Sequence, residues 1–203
     1  MLQFITDINE FLSQKKRLER LFDLTNDLPS NMFNDQFKYF KSFEFDIIYG
    51  EVFFTGLKSF LNQIGDTSFS FYTILPSAEN YFVKHFNKYN VAEISDEYSY
   101  EDYRDFLNSD PGNSPADCLM DNGETIAMYS MNDQWVILGS RDCEIGIVGF
   151  TDTVTQDMFI NSFRNSRITS VKTRIDDLNE MLHFNGETLE FYNKLESNYK
   201  NRL

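Results

Sequence analysis

Two apolar runs, Trp135-Val136-Ile137-Leu138 and Ile145-Gly146-Ile147-Val148-Gly149-Phe150, are joined by the polar segment Gly139-Ser140-Arg141-Asp142-Cys143-Glu144. A strand with one solvated face alternates apolar and polar residues, whereas continuous apolar runs are typical of strands that are covered on both faces. The two runs therefore predict a hairpin of central strands, with other elements of the chain packed above and below it.

Three further segments outside this hairpin have the composition of strands. They are residues 69–75, which end at Pro76, residues 91–94, and residues 125–129. The turn signal at 121–123 predicts a hairpin between 118–120 and 125–129. A helical pattern after Ser77 separates 69–75 from 91–94, an order that permits a parallel pair of strands.

Helical periodicity dominates the two ends of the chain. Residues 4–24 form an amphipathic pattern, and the basic cluster of Lys15, Lys16, Arg17 and Arg20 is interpreted as the solvated face of that helix. The aromatic segment 33–43 is also predicted to be helical, while residues 43–64 fit either a strand followed by a helix or a helix throughout. Helical spacing returns from Val154 to the end of the sequence.

These patterns define the expected fold class. Helices come first, a set of strands follows, and helices close the chain, with no internal repeat and no linker between them. A length of 203 residues is within the range of one domain. The sequence predicts one α+β domain over residues 1–203, with a largely antiparallel central sheet and N-terminal and C-terminal helices.

The net charge indicates which partners the chain can attract. It has 32 Asp and Glu against 18 Lys and Arg, a formal net charge of −14 at pH 7. Nucleic acids are bound chiefly by basic residues that neutralise phosphates, and anionic membranes also attract basic segments, so neither is predicted as a partner. An acidic surface attracts basic proteins instead, and a basic protein partner is expected.

Cysteine content and hydropathy predict a cytoplasmic location. Cys118 and Cys143 are too few for a disulfide framework in a chain of this length, which favours reduced thiols and leaves a single disulfide as the alternative. The first residues lack the basic and apolar regions of an export signal. No apolar run approaches the roughly 20 residues of a membrane-spanning helix.

Asp142 and Glu144 are the pair of residues best suited to chemistry. Two positions apart near the start of a strand, both carboxylates would point to one face and could hold a divalent cation or act as acid and base. A nuclease of the carboxylate and lysine type would need a lysine where the chain has Gly146. A charged loop at a hairpin end is the simpler interpretation, so no catalytic residue is assigned.

The remaining motifs predict structure rather than catalysis. Ser114 followed by Pro115 is expected to cap a helix, because Pro115 has no N–H group for an oxyanion hole. The two histidines, His85 and His183, lack the close spacing of zinc ligands. Glycine-rich phosphate-binding loops do not occur in the sequence, and no cofactor or metal is predicted.

Residues 135–148 carry the one resemblance to a known group of proteins. A strand led by Trp135, an Arg-Asp-Cys-Glu turn and a second apolar strand resemble segments of small bacterial immunity proteins, which neutralise toxins. The resemblance covers this hairpin alone, and it implies a cytosolic antidote that binds a toxin without chemistry of its own. Many such toxins are basic nucleases, which an acidic surface could attract and occlude.

The sequence therefore supports three functional hypotheses. The first is an acidic cytosolic binding protein, in its most specific form an immunity protein that occludes a basic bacterial toxin. The second is a metal-dependent enzyme that uses Asp142 and Glu144. The third is a regulatory module that binds another basic protein.

A partner site is predicted where carboxylates and tyrosines alternate in residues 93–105. Carboxylates accelerate encounters with a basic partner, and tyrosines supply rigid contact area at modest entropic cost. The alternative is an ordinary solvated helix start, in which Asp and Glu complement the helix dipole. The predicted partner-binding residues are Glu93, Asp96, Glu97, Tyr98, Tyr100, Glu101, Asp102, Tyr103 and Asp105.

Overall fold

The computed structural model describes residues 2–163 and 168–201, which form an α+β fold built on six strands and eight α-helices in this part of the chain. The strands are β1 Tyr39–Glu44, β2 Ser68–Leu75, β3 Val91–Ser95, β4 Thr125–Ser130, β5 Trp135–Ser140 and β6 Ile145–Phe150. The helices are α1 Ile8–Leu21, α2 Glu51–Ile64, α3 Val83–Phe86, α4 Tyr100–Leu107, α5 Leu119–Asn122, α6 Thr153–Ser162, α7 Val171–Leu182 and α8 Gly186–Asn198.

The strands form one sheet in the order β1-β6-β5-β4-β2-β3, and every neighbouring pair is antiparallel. The predicted hairpin of β5 and β6 lies inside the sheet, with Ile137 opposite Val148 and Leu138 opposite Ile147. All twelve residues of these two strands are buried. The prediction of central strands covered on both faces is therefore confirmed.

Helices cover both faces of the sheet, which gives three layers. One face packs Trp135, Ile137 and Val148 against α2, α4 and α6, whereas the other packs Val136, Leu138 and Ile147 against α1, α7 and α8. This division follows from strand geometry, because successive side chains point to opposite faces. The two faces are called the Trp135 face and the α1 face below.

Short pairings cover part of each edge of the sheet. On β3, the Ile5 N–H group donates to the Val91 carbonyl at 2.9 Å. On β1, Ser42 and Thr169 exchange two backbone hydrogen bonds, and the Asn201 side chain accepts from the Phe40 N–H group at 2.8 Å. Unpaired edge strands promote association between chains, so these contacts limit it.

Two local predictions were wrong. Residues 33–43 do not form a helix, because turns lead directly into β1, which pairs with β6. Residues 121–123 do not join two strands, since 119–122 form α5 and Gly123 has a φ of −75° rather than the positive φ of a type I′ turn. The hairpin turn of β4 and β5 lies instead at residues 131–134, where Asp133 has a φ of 57°.

The suggested parallel pair was also wrong, since β2 and β3 are antiparallel neighbours. A parallel partner would require the chain to return along the full length of β2, about 26 Å for its eight residues. The helical turns at 78–86 between the two strands span only about 14 Å. The chain therefore folds back after β2 without crossing the sheet.

Residues 43–64 follow the first of the two predicted alternatives, with the boundary shifted. The strand ends at Glu44, a 3-10 helix covers Phe45–Tyr49, and α2 begins at Glu51. The predicted cap at Ser114 is correct in position only. A 3-10 turn does begin at Pro115, but the Ser114 hydroxyl donates to the Asp117 carboxylate instead of accepting from a backbone N–H group.

Candidate functional site

The predicted partner segment is organised by helix α4, which begins with a capping box. The Ser99 hydroxyl accepts from the Asp102 N–H group at 3.1 Å, and the Asp102 carboxylate accepts from the Ser99 N–H group at 3.0 Å. The hydrogen bonds from the Ser99 backbone and hydroxyl lower the pKa of Asp102. Asp102 therefore has a structural role at the start of α4.

Tyr103 faces the core and cannot contact a partner, contrary to its place in the predicted site. It is 0% exposed, and its ring stacks on Phe54 with 4.6 Å between centroids. Its hydroxyl donates to the Ile48 carbonyl at 3.2 Å. Burial raises the pKa of Tyr103 well above that of a free tyrosine.

Tyr98 and Tyr100 remain half-buried at the surface and are fixed by contacts with neighbouring elements. The Lys58 ammonium donates to the Tyr98 carbonyl at 2.7 Å, and the Tyr100 hydroxyl donates to the Tyr49 carbonyl at 3.1 Å. The Lys58 bond fixes the backbone at Tyr98, the hydroxyl bond fixes the Tyr100 side chain, and both rings pack against the core of the Trp135 face before any partner arrives. Such preorganisation lowers the entropic cost of association.

The carboxylates beside these rings are largely free. Glu97, Glu101 and Asp105 are exposed and Asp96 is half-buried. Among the described residues, Asp105 alone of these four forms an ion pair, at 3.6 Å from the neighbouring Arg104. Negative charge at this surface is thus available to a cationic partner. We call Asp96, Glu97, Tyr98, Tyr100, Glu101 and Asp105 the acidic surface.

Glu93 lies apart from the acidic surface. Along β3, Ala92 and Ile94 pack on the Trp135 face, which α4 also covers, so Glu93 points to the α1 face. The Ser68 hydroxyl donates to its carboxylate at 2.7 Å. The nine predicted residues therefore comprise one surface of six residues, the capping residue Asp102, the buried Tyr103 and a carboxylate on the opposite face of the sheet.

Asp142 and Glu144 are exposed in the tight turn between β5 and β6, where the alternation of a strand does not apply. Glu144 has a φ of 49°, and its carbonyl accepts from Arg174 at 2.8 Å. Arg141 points away to the Trp135 face, where it donates to the carbonyls of Met120 and Gly123. No group of three or more His, Cys, Asp or Glu residues suited to a metal ion occurs within residues 2–163 and 168–201.

The cysteines and histidines have separate surroundings. Cys118 is buried 3.4 Å from the Asp121 carboxylate, and Cys143 is half-buried in the β5–β6 turn. Burial raises the pKa of both thiols, which leaves them protonated and weakly nucleophilic. His85 packs against Tyr81, whereas His183 ends α7 in a left-handed conformation.

A second polar region, which the sequence reasoning missed, lies between α1 and β3. Gln14 occupies the inner face of α1, and its side-chain carbonyl accepts from the hydroxyls of Ser70 and Tyr129 at 2.7 and 2.9 Å. Two signals could have revealed it. Gln14 interrupts the apolar stripe of α1, and Ser70 interrupts an apolar strand.

Comparisons with known proteins add no relative. The chain matches no protein family model, and neither a curated protein sequence nor a solved structure is significantly similar to it. Within the described residues, no helix combines the length and apolar character needed to cross a membrane.

Proposed function

We propose that this protein is a binding protein without catalytic activity, which captures a basic protein partner through the acidic surface. The observation that carries the proposal is the combination of two preorganised tyrosines with four exposed or half-exposed carboxylates, of which three lack an ion pair among the described residues. No ion pair within the protein has to break before these carboxylates can bind a partner. Their charge therefore contributes directly to steering and to pairing across the interface.

Occlusion of a basic toxin is the most specific form of this proposal. The net charge of −14 favours a strongly basic partner, and the β5–β6 hairpin that resembles immunity proteins gives the sheet its rigid centre. A regulatory module that binds another basic protein would use the same surface. The two forms differ in the consequence of binding, which is loss of toxic activity in the first.

A photo-crosslinking residue in place of Tyr98 would identify the partner in the cells that produce the protein. The matched control carries the same residue in place of Met181, which is 60% exposed on α7. We expect one basic protein to be captured at position 98 and not at position 181. Equal capture at both positions, or capture of acidic proteins alone, would contradict the proposal.

Charge reversal then tests the surface itself with the captured protein. One variant carries Asp96→Lys, Glu97→Lys and Glu101→Lys, whereas the control carries Asp27→Lys, Glu124→Lys and Asp157→Lys, three exposed carboxylates elsewhere. Both variants change the net charge equally. We expect the first to slow association several-fold and to flatten its salt dependence, and the control to change both much less. Asp102 is left intact because it caps α4.

The metal-dependent alternative has a direct test. A site formed by Asp142 and Glu144 would raise the melting temperature when Mg²⁺, Mn²⁺ or Zn²⁺ is added, since a ligand of the native state stabilises it. Under the binding proposal, melting temperatures with and without each cation agree. If a cation does raise the melting temperature, the double variant Asp142→Asn, Glu144→Gln tests whether these two carboxylates bind it, because the shift would then be lost.

A further inference from the structure

A groove of about 840 Å³ lies on the α1 face of the sheet, between α1 and the edge strand β3. Its position follows from the path of α1, which packs over β2 and β4 and leaves Glu93 of β3 exposed. The groove is lined by Glu10, Ser13, Gln14, Lys16, Arg17 and Glu93, together with neighbouring residues of α1 and Met131.

Gln14 contributes an amide donor to this groove. Only 9% of the residue is exposed, and its side-chain oxygen is fixed by the hydroxyls of Ser70 and Tyr129. Its Nε2 group has no hydrogen-bond partner among the described residues, although two N–H donors are carried there. The amide is open to the groove, where water or a carbonyl oxygen of a ligand can accept from it.

Glu93 contributes a negatively charged hydrogen-bond acceptor. Its Oε1 atom accepts from Ser68 at 2.7 Å, while Oε2 has no partner within the described residues. The cations that line the groove are not paired with it: Arg17 and Arg20 pair with Asp133 at 2.9 and 2.5 Å, and Lys16 forms no ion pair with Glu93 within the described residues. Glu93 is therefore available to a cation from outside the chain.

The backbone of β3 is open at the same place. The backbone N–H group of Thr73 donates to the Asn90 carbonyl, and that of Asp96 donates to the Thr67 carbonyl. These two bonds show which residues of β3 face β2, because every second residue of an antiparallel strand bonds to the same neighbour. Residues 92 and 94 therefore bond to β2, whereas the N–H and C=O groups of Glu93 point outward. Ile5 covers the edge at Val91, and no described residue bonds to the Glu93 backbone.

We propose that an extended basic segment of another protein adds to β3 as a seventh strand, with a lysine or arginine directly opposite Glu93. Strand addition satisfies the outward N–H and C=O groups of Glu93. The side chain opposite Glu93 lies on the α1 face, where a cation forms a cross-strand pair with the carboxylate. A polar group of the added segment reaches the Gln14 amide through the groove.

A second copy of this chain is a poor occupant of the same edge. Two β3 strands paired antiparallel about Glu93 would place two carboxylates opposite each other, and like charges in that position are destabilising. The inference is independent of the proposed function, because the groove and the acidic surface lie on opposite faces of the sheet.

The test uses two synthetic peptides, acetyl-Val-Lys-Val-Lys-Val-amide and its counterpart with glutamate in place of lysine. Binding to the full chain is followed by nuclear magnetic resonance, together with hydrogen exchange of individual backbone amides. We expect the lysine peptide to bind and to slow exchange of the Glu93 N–H group at least tenfold, since strand addition places that group in a hydrogen bond. The glutamate peptide should leave exchange unchanged.

Glu93→Gln supplies the matched variant, because its amide oxygen can still accept from Ser68 while the charge is lost. It should weaken lysine-peptide binding about fivefold, whereas Glu124→Gln should not. Binding without protection of Glu93, or equal binding of both peptides, would overturn the inference. Loss of binding in the Asp96→Lys, Glu97→Lys, Glu101→Lys variant would place the peptide on the acidic surface and would overturn it too.

Discussion

The Arg17 guanidinium lies 2.9 Å from the Asp133 carboxylate and thereby joins α1 to the turn between β4 and β5. The same guanidinium donates to the Ser130 carbonyl at 2.8 Å, and Arg20 pairs with the second oxygen of Asp133 at 2.5 Å. Part of the basic cluster of α1 therefore fixes the helix on the sheet, rather than forming only a solvated face.

Asp133→Asn should lower the free energy of unfolding by about 1–2 kcal/mol, since the Arg17 side chain is only 16% exposed and hydrogen bonds between charged groups are stronger than neutral ones. Asparagine tolerates the positive φ of this position, so the change isolates the ion pair from backbone strain. Urea denaturation measures the difference. Asp105→Asn, at an exposed ion pair, should change stability by less than about 0.5 kcal/mol.

Trp135→Ala should cost about 3–5 kcal/mol, because it removes a fully buried ring at the start of a central strand. The ring contacts Phe60 and Phe69, with centroids 5.7 and 6.5 Å away, so its loss leaves a cavity among aromatic side chains. Trp135→Phe keeps much of the volume and should cost clearly less. Equal stability of the alanine variant and the native protein would contradict the packing described for the Trp135 face.

The sequence predicted those features that depend on local pattern. Continuous apolar runs indicated the central strands, and helical spacing indicated α1, α7 and α8. Helical spacing failed at Phe33, Phe37 and Phe40, because these rings pack through tertiary contacts and not along one helix. Phe33 and Phe40 contact Tyr199, and Phe33 also contacts Phe22 and Phe37. Non-local pairing of β1 with β6 decides that segment, and no local pattern records it.

The candidate site was predictable in part. Tyr103, Phe106 and Leu107 have the i, i+3, i+4 spacing of an inward helix face, so the burial of Tyr103 could have been inferred from the sequence. The separation of Glu93 from α4 could not have been inferred from the sequence. It depends on which face of β3 each helix covers, and that is determined by the packing of the whole sheet.

Gly146→Ala should be destabilising by about 1–3 kcal/mol through overpacking. Gly146 pairs directly with Phe43, and a Cβ atom there would lie 2.0 Å from the ring. The ring is fully buried and has no free direction in which to move. Gly112→Ala is the control, since the nearest atom to its Cβ would be 3.5 Å away, and its unfolding free energy should change little.

Asp66 should give the protein a pH dependence opposite to that of a carboxylate whose pKa is lowered on folding, such as Asp102. It is buried beside the end of α2, where the Ser130 hydroxyl donates to it at 2.8 Å and the Asn132 amide also donates. Burial raises its pKa, although these hydrogen bonds and Arg17 partly oppose the effect. The folded state therefore binds this proton more tightly than the unfolded state does.

The sign of the effect follows from linkage. Above the raised pKa, the folded protein carries a buried charge and is less stable. As the pH falls through that value towards the unfolded pKa, protonation removes the penalty.

Asp66→Asn removes this titration while keeping a similar shape. In urea denaturation between pH 7 and pH 4, the unfolding free energy of the native protein should rise relative to that of the Asn variant as the pH falls. A difference that is constant with pH, or that changes in the opposite direction, would show that Asp66 does not titrate with a raised pKa.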